Sequence, residues 1–292
     1  MEQASLPVID NTVARHRLGS LCHFLINFTF KSCNFGEHMK DGKIRNLRMT
    51  IEYDGTNYHG WQIQKGDATI QELVETAVLK IIGEKVKVTG CGRTDQGVHA
   101  RDYIANFKTG KIISDWSMML ALNSKLPKDI RIKHVEEVSE DFHARYSAKS
   151  KIYQYRVWNA PVYSPLLCRF AYHYFRNPLV VAYMQEGANE LVGKHDFFSL
   201  ATFSKEMENT VRTIFSLKVF RDERHPDMIL INVEGDGFLY NMVRTIAGTL
   251  IDIGAGLRKP SLCKKLVETR DRTQAGANLP PEGLMLLTVS YE

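Results

Sequence analysis

From residue 47 onward, apolar residues fall into alternating short runs and longer helical stripes, and the two patterns take turns along the chain. Residues 47–53 alternate and predict a first strand. Thr69-Ile70-Gln71-Glu72 has the spacing of a capping box; Ile70, Leu73, Val74, Ala77, Val78 and Ile81 then recur at helical spacing until Gly83 ends the run. Strands near 86–89 and 101–107, a helix near 115–123 and a strand near 130–135 complete an α+β half. The second half opens on a strand over 152–158, continues through a helix near 179–191, and pairs strands near 215–220 and 228–233. After a Gly235-Asp236-Gly237 turn comes a helix that buries Leu239, Met242, Val243, Ile246, Ala247 and Leu250. Arg244 lies off that stripe, on a face shared with Tyr240 and Gly248, where the glycine leaves room for a neighbour.

The recurrence of strands and helices in both halves gives the fold class as α+β, in two related domains over 47–149 and 150–292. Residues 1–46 show no clear periodicity and carry both signs of charge, so they read as an N-terminal extension outside the folded core. Their longest apolar stretch, 21–30, is broken by His23, Asn27 and Thr29 and follows Glu2, Asp10, Arg15 and Arg17, which is not the layout of a signal peptide. Met39 and Met49 are alternative first residues.

With 44% hydrophobic and 24% charged residues the composition is that of an ordinary soluble protein, and no apolar stretch of about eighteen residues is there to span a membrane. Cys22, Cys33, Cys91, Cys168 and Cys263 are widely spread and form no Cys-x-x-Cys pair, so a reducing, cytoplasmic setting is expected. His59, His99 and His143 are likewise scattered, and no metal or other cofactor is expected. The net charge of +5 is compatible with a nucleic-acid partner without requiring one. Its distribution says more. From Phe142 to Gln185 there is no Asp or Glu, while Arg145, Lys149, Lys151, Arg156, Arg169 and Arg176 interleave with eleven aromatics. Basic groups can track phosphates and rings can stack on unpaired bases, although core packing explains most of the rings equally well.

The chemistry concentrates in Gly92-Arg93-Thr94-Asp95-Gln96-Gly97-Val98-His99-Ala100, a glycine-rich turn between two strands. In an extended segment Arg93 and Asp95 leave on one face, so the guanidinium would hold the carboxylate ionised, and an ionised Asp can act as a nucleophile. The plain alternative is a turn with a surface salt bridge. Cys91 has no histidine spaced to activate it and reads as a small buried hydrophobe. His99 and His143 read as structural or hydrogen-bonding residues.

This nine-residue string resembles the active-site motif of the TruA-type tRNA pseudouridine synthases, whose essential residue falls on Asp95. The resemblance continues through Tyr53-Asp54-Gly55-Thr56-Asn57-Tyr58-His59-Gly60-Trp61-Gln62, Phe142-His143-Ala144-Arg145-Tyr146-Ser147-Ala148, Lys151-Ile152-Tyr153-Gln154-Tyr155 and Asn241-Met242-Val243-Arg244, covering the chain from about residue 47. It implies the pseudouridine synthase fold, with antiparallel sheets of two α+β domains meeting at a central basic cleft. It implies an isomerase acting on tRNA uridines of the anticodon stem-loop, at positions 38–40, and a homodimer in which each tRNA contacts both subunits. By the same resemblance Tyr153 stacks on the target base and Arg244 pairs with Asp95. Arg93 and the segment Phe142, His143, Ala144, Arg145 and Tyr146 take part in RNA contact and base flipping. Tyr155, two residues along the strand, reads as core. The alternatives are a uridine glycosidase, which needs a second carboxylate such as Asp54 brought close to Asp95, and an RNA-binding protein without activity.

Overall fold

The computed structural model describes residues 41–202 and 209–292. The extension expected over 1–46 lies, up to residue 40, outside the described residues. Along the chain run β1 (Asp41–Tyr53), α1 (Ile70–Ile82), β2 (Thr89–Gly90), β3 (His99–Lys111), α2 (Asp115–Lys125), β4 (Ile130–Val138), β5 (Ser150–Trp158), β6 (Tyr172–His173), α3 (Val181–Asn189), β7 (Gly193–Asp196), β8 (Val211–Arg221), β9 (Met228–Gly235), α4 (Met242–Gly254), α5 (Leu262–Thr269) and β10 (Leu284–Ser290).

The strands form one sheet in the order β4-β1-β3-β10-β5-β9-β8-β7, with β2 paired to β3 and β6 to β5. Most neighbours are antiparallel; β10 against β3 is parallel, through Met285 to His99 and Leu286 to Ala100. On its other side β10 pairs antiparallel with β5, Leu286 standing opposite Tyr153. The final strand thus joins the strands of the first half to those of the second.

β1 begins six positions before the alternation at residue 47, because its early positions are held by polar groups. Arg45 reaches Glu137 at 2.6 Å and Asp115 at 2.8 Å. Asn46, nearly fully buried, donates to the carbonyls of Ser139 and Phe142 and accepts from Asn106. A polar strand start of this kind leaves no hydrophobic signature.

α1 buries Ile70, Val74, Ala77 and Val78 and ends on Gly83 with φ of 76°, as the pattern predicts. The capping box does not form: Thr69 takes the extended N-cap backbone, yet its buried hydroxyl has no partner. The helix's first amides are instead taken by tertiary acceptors, Ile70 N–H by the Gly60 carbonyl at 3.1 Å and Gln71 N–H by that of Trp61 at 3.0 Å.

α4 starts at Met242, so Leu239 precedes it, but every residue of the expected stripe is buried. The helix is covered beyond that stripe, since Thr245 and Thr249 are also fully buried. Gly248 permits this: a Cβ there would stand 2.0 Å from the Ala277 carbonyl oxygen. The Gly276 N–H donates to the Thr249 hydroxyl at 3.0 Å, which fixes the incoming segment against the helix. Gly248→Ala is expected to cost about 1–3 kcal/mol by overpacking, read as a lower urea midpoint at unchanged slope.

Candidate active site

The loop carrying Asp95 is held from three sides. From below, the Tyr53 hydroxyl bonds the Thr94 hydroxyl at 2.7 Å, and Tyr103 stacks on Trp61 with centroids 4.1 Å apart. From the α1 side, Trp61 N–H donates to the Thr94 carbonyl at 3.1 Å, so the residues that cap α1 also grip the loop. On the third side Gly97, at φ of 77°, lies so near Pro281 that a Cβ would be 2.8 Å from its ring. The turn closes by the Val98 N–H donating to the Asp95 carbonyl at 3.2 Å.

Asp95, 26% exposed, meets Arg244, 13% exposed, with 3.6 Å between Oδ2 and Nη1. Arg93, the partner expected from the spacing, is exposed, and Asp95 makes its ion pair with Arg244. Residues 93–95 belong to no strand, Arg93 is exposed while Thr94 between them is buried, and the partner of Asp95 comes from α4. The Arg244 guanidinium is fixed by two further acceptors, the Leu279 carbonyl at 2.6 Å from Nε and the Asn241 Oδ1 at 2.8 Å from Nη1. Asn241 is held in the left-handed region at φ of 61° and donates to Thr202. Burial pushes the Asp95 carboxyl above the ordinary carboxylate range, and the charge of Arg244 and its hydrogen bond oppose that rise.

Tyr153 completes the group. It is 9% exposed, packs edge-on against Phe238 with centroids 5.2 Å apart, and its hydroxyl, raised by burial, feels the charge of Asp95. Tyr155 is fully buried and donates to the Pro280 carbonyl at 2.7 Å, the core residue it was expected to be. Cys91 is also core: burial pushes its thiol up to about 11. His99 accepts the Gly55 N–H, and His143 accepts the N–H groups of Arg145 and Tyr146, both as hydrogen-bonding residues.

The segment Phe142 to Tyr146 divides. Phe142 packs on Tyr291, and Ala144 is fully buried, donating to Asn106 and accepting from the Tyr291 hydroxyl. Arg145 and Tyr146 project to solvent, the guanidinium 5.6 Å from the ring centre. Phe142 and His143 also line a groove of about 610 Å³ with Lys85, Lys87 and Lys108, where Glu140 and Asp141 add the opposite charge. The acid-free stretch is less bare in space than in sequence. Arg169 ion-pairs with Asp54, and Asp222 and Asp252 act on Arg156 and Arg176. Arg145, Lys149 and Lys151 remain.

Leu279, Pro280, Pro281 and Asn241 were not singled out from sequence as site residues. The Pro-Pro-Glu-Gly punctuation before the apolar run 284–289 is the signal that could have marked the segment. Among the described residues no group of three or more His, Cys, Asp or Glu stands where a metal could be held, and no helix is long and apolar enough to cross a membrane.

The family described as tRNA pseudouridine synthase matches residues 49–147 and 188–292. A tRNA pseudouridine synthase A from Ruminiclostridium cellulolyticum is 47% identical over 248 residues, covering 85% of this chain and all of the relative. One from Caldicellulosiruptor saccharolyticus is 46% identical with the same coverage. Among solved structures, a chain in the crystal structure of a Cbf5-Nop10-Gar1 complex is similar at 10% identity and a TM-score of 0.31, covering 82% of this chain and 57% of that one. The chain belongs to the tRNA pseudouridine synthase family. Its activity is that of an isomerase, converting uridine to pseudouridine in tRNA.

The opposing effects on Asp95 fix a pH prediction. Activity that needs the ionised carboxylate is lost as pH falls through its raised pKa, and removing Arg244 removes the lowering influence. Arg244→Met is therefore expected to move the acid limb of kcat/KM to higher pH by about one unit or more, along with a large loss of rate. A limb that stays in place would separate Arg244 from the ionisation of Asp95.

Proposed function

We propose that Asp95 is the catalytic residue, that Tyr153 stacks on the target base, and that the substrate uridines lie in the tRNA anticodon stem-loop. The observation that carries the reading is the half-buried Asp95 carboxylate paired to an arginine fixed by two other acceptors, beside a buried tyrosine ring.

The reaction breaks the N1–C1′ bond of uridine, turns the base and rejoins it to C1′ through C5, with a proton moving from C5 to nitrogen and no net oxidation. Such a sequence needs a base or nucleophile at the sugar or base, which an ionised Asp supplies. A stacked uridine must first leave its helix or loop, and a ring such as Tyr153 replaces the stacking it loses. Arg93, exposed on the same loop, is placed to enter the vacated space, and Arg145 with Tyr146 to hold the flanking strand. The homodimer and the cytoplasmic setting belong to the same proposal, the first on the family resemblance and the second on cysteine usage.

A glycosidase is less well supported. Asp54, the nearest carboxylate in the motif blocks, is engaged by Arg169 and Thr56, and the charge acting on Asp95 comes from Arg244 rather than from a second acid.

Asp95→Asn keeps the side chain's shape and is expected to abolish pseudouridine formation while leaving tRNA binding within several-fold; turnover by the purified variant would overturn the assignment of Asp95. Pseudouridine mapped outside the anticodon arm would overturn the assignment of the substrate. Arg145→Gln and Lys149→Gln should each weaken binding and flatten its salt dependence by roughly one counterion, with the modified uridine unchanged. A variant that shifts the modified position would show base readout where phosphate contact is expected.

A further inference from the structure

We propose that Lys151, Arg145 and the N–H groups of Gly92 and Arg93 form an anion subsite that takes the backbone phosphate beside the target uridine. The inference rests on the function proposed above and extends it from the base to the nucleotide's own phosphodiester.

Lys151 lies two residues before Tyr153 on β5, so both side chains leave the same face of the sheet. Its ammonium sits against the catalytic loop: a Cβ on Gly92 would be 3.1 Å from Nζ. It is half-buried, and among the described residues no carboxylate pairs with it. Burial lowers its pKa, Cys91 offsets part of that, and the positive charge of Arg145 lowers it further. A half-desolvated cation beside a like charge is unfavourable unless something anionic joins them. Arg169, Arg156 and Arg176 of the same stretch differ, since each has an acid acting on it.

The loop supplies a second, independent observation. Among the described residues the N–H groups of Gly92, Arg93, Thr94, Asp95 and Gln96 donate no hydrogen bond. The loop's carbonyls, by contrast, are used, that of Gly92 by Tyr103, that of Thr94 by Trp61 and that of Asp95 by Val98. Unused amides are free donors for an anion, and the Lys151 ammonium adjoins the first of them at Gly92. A base stacked on Tyr153 would bring its phosphodiester within reach of Lys151, two residues away along β5. A strand rise of about 3.3 Å per residue separates the two positions by about 6–7 Å.

The test uses the full chain and tRNA ligated to carry one uncharged methylphosphonate linkage on either side of the target uridine. One of these linkages is expected to raise the wild-type KM about tenfold or more, the size of one lost charged hydrogen bond. Lys151→Gln should raise KM on unmodified tRNA comparably, with a larger effect on KM than on kcat, and Lys151→Arg should restore most of it. The decisive reading is the combination: with Lys151→Gln the neutral linkage should cost little more. Losses that multiply, a wild type indifferent to both linkages, or a Lys151→Gln defect that follows its melting temperature would overturn the subsite. The wild-type arms need no folded variant. A wild type active on tRNA yet indifferent to the linkages sinks this inference alone, whereas a wild type that makes no pseudouridine sinks the function on which it rests.

Discussion

Arg244 reaches Asp95 because the last strand of the chain is seated in the middle of the sheet. β10 lies between β3 and β5, and the segment leading into it must cross from α4 to the sheet. On the way it packs Ala277 on Gly248, gives the Leu279 carbonyl to Arg244 and that of Pro280 to Tyr155, and sets Pro281 against Gly97. One segment therefore ties the helix bearing the cation to the loop bearing the carboxylate. The contacts join positions far apart in sequence, so the site comes together late, after its long loops have closed. It also means that fraying of the C-terminal segment would dismantle the charge pair while leaving β1, β3 and β4 paired.

Within that frame the loop holds two nucleophile types in opposite conditions. Cys91 is fully buried with its thiol pushed up to about 11, and stays neutral at physiological pH. Asp95, four residues on, is only partly buried and faces a guanidinium. Burial raises its carboxyl, and the charge and hydrogen bond of Arg244 act against that rise. Arg244 is held in that position by Asn241 and Leu279, and on the proposed function its charge is in place before the substrate arrives.

Much of this was legible in the residues. Gly83 ended α1 where expected, and Arg244 stood out because a charge off an apolar stripe needs a reason to be there. The Asp95 loop was legible from its glycines and flanking strands. Three things were not. The capping box at Thr69 does not form, and the helix's first two amides are held by the Gly60 and Trp61 carbonyls, which lie outside the local pattern. β10 was missed because a short apolar run at a chain end does not reveal its period, and its seat between β3 and β5 is a purely non-local fact. The acid-free stretch misled in part, since spacing along the chain cannot see Asp54 arriving beside Arg169.

The two arginines of the site show how burial separates duties that sequence makes look alike. Arg93 is two residues from Asp95 in sequence and Arg244 is remote, yet Arg244 is the ion-pair partner. A side chain with 13% exposure and three hydrogen-bonding or ionic contacts has little rotamer freedom left to lose. Such a residue suits a fixed charge that must be present before the substrate arrives. An exposed arginine retains its full rotamer freedom, worth about 2 kcal/mol, and gives it up only when RNA supplies phosphates and stacked bases to meet its planar fork. Exchanging their positions would spoil both tasks: a mobile charge beside Asp95 would leave the carboxylate to protonate, and a fixed one on the loop could not follow a base out of its stack. On the proposed function, the exposed arginine acts on the RNA and the buried one on the catalyst.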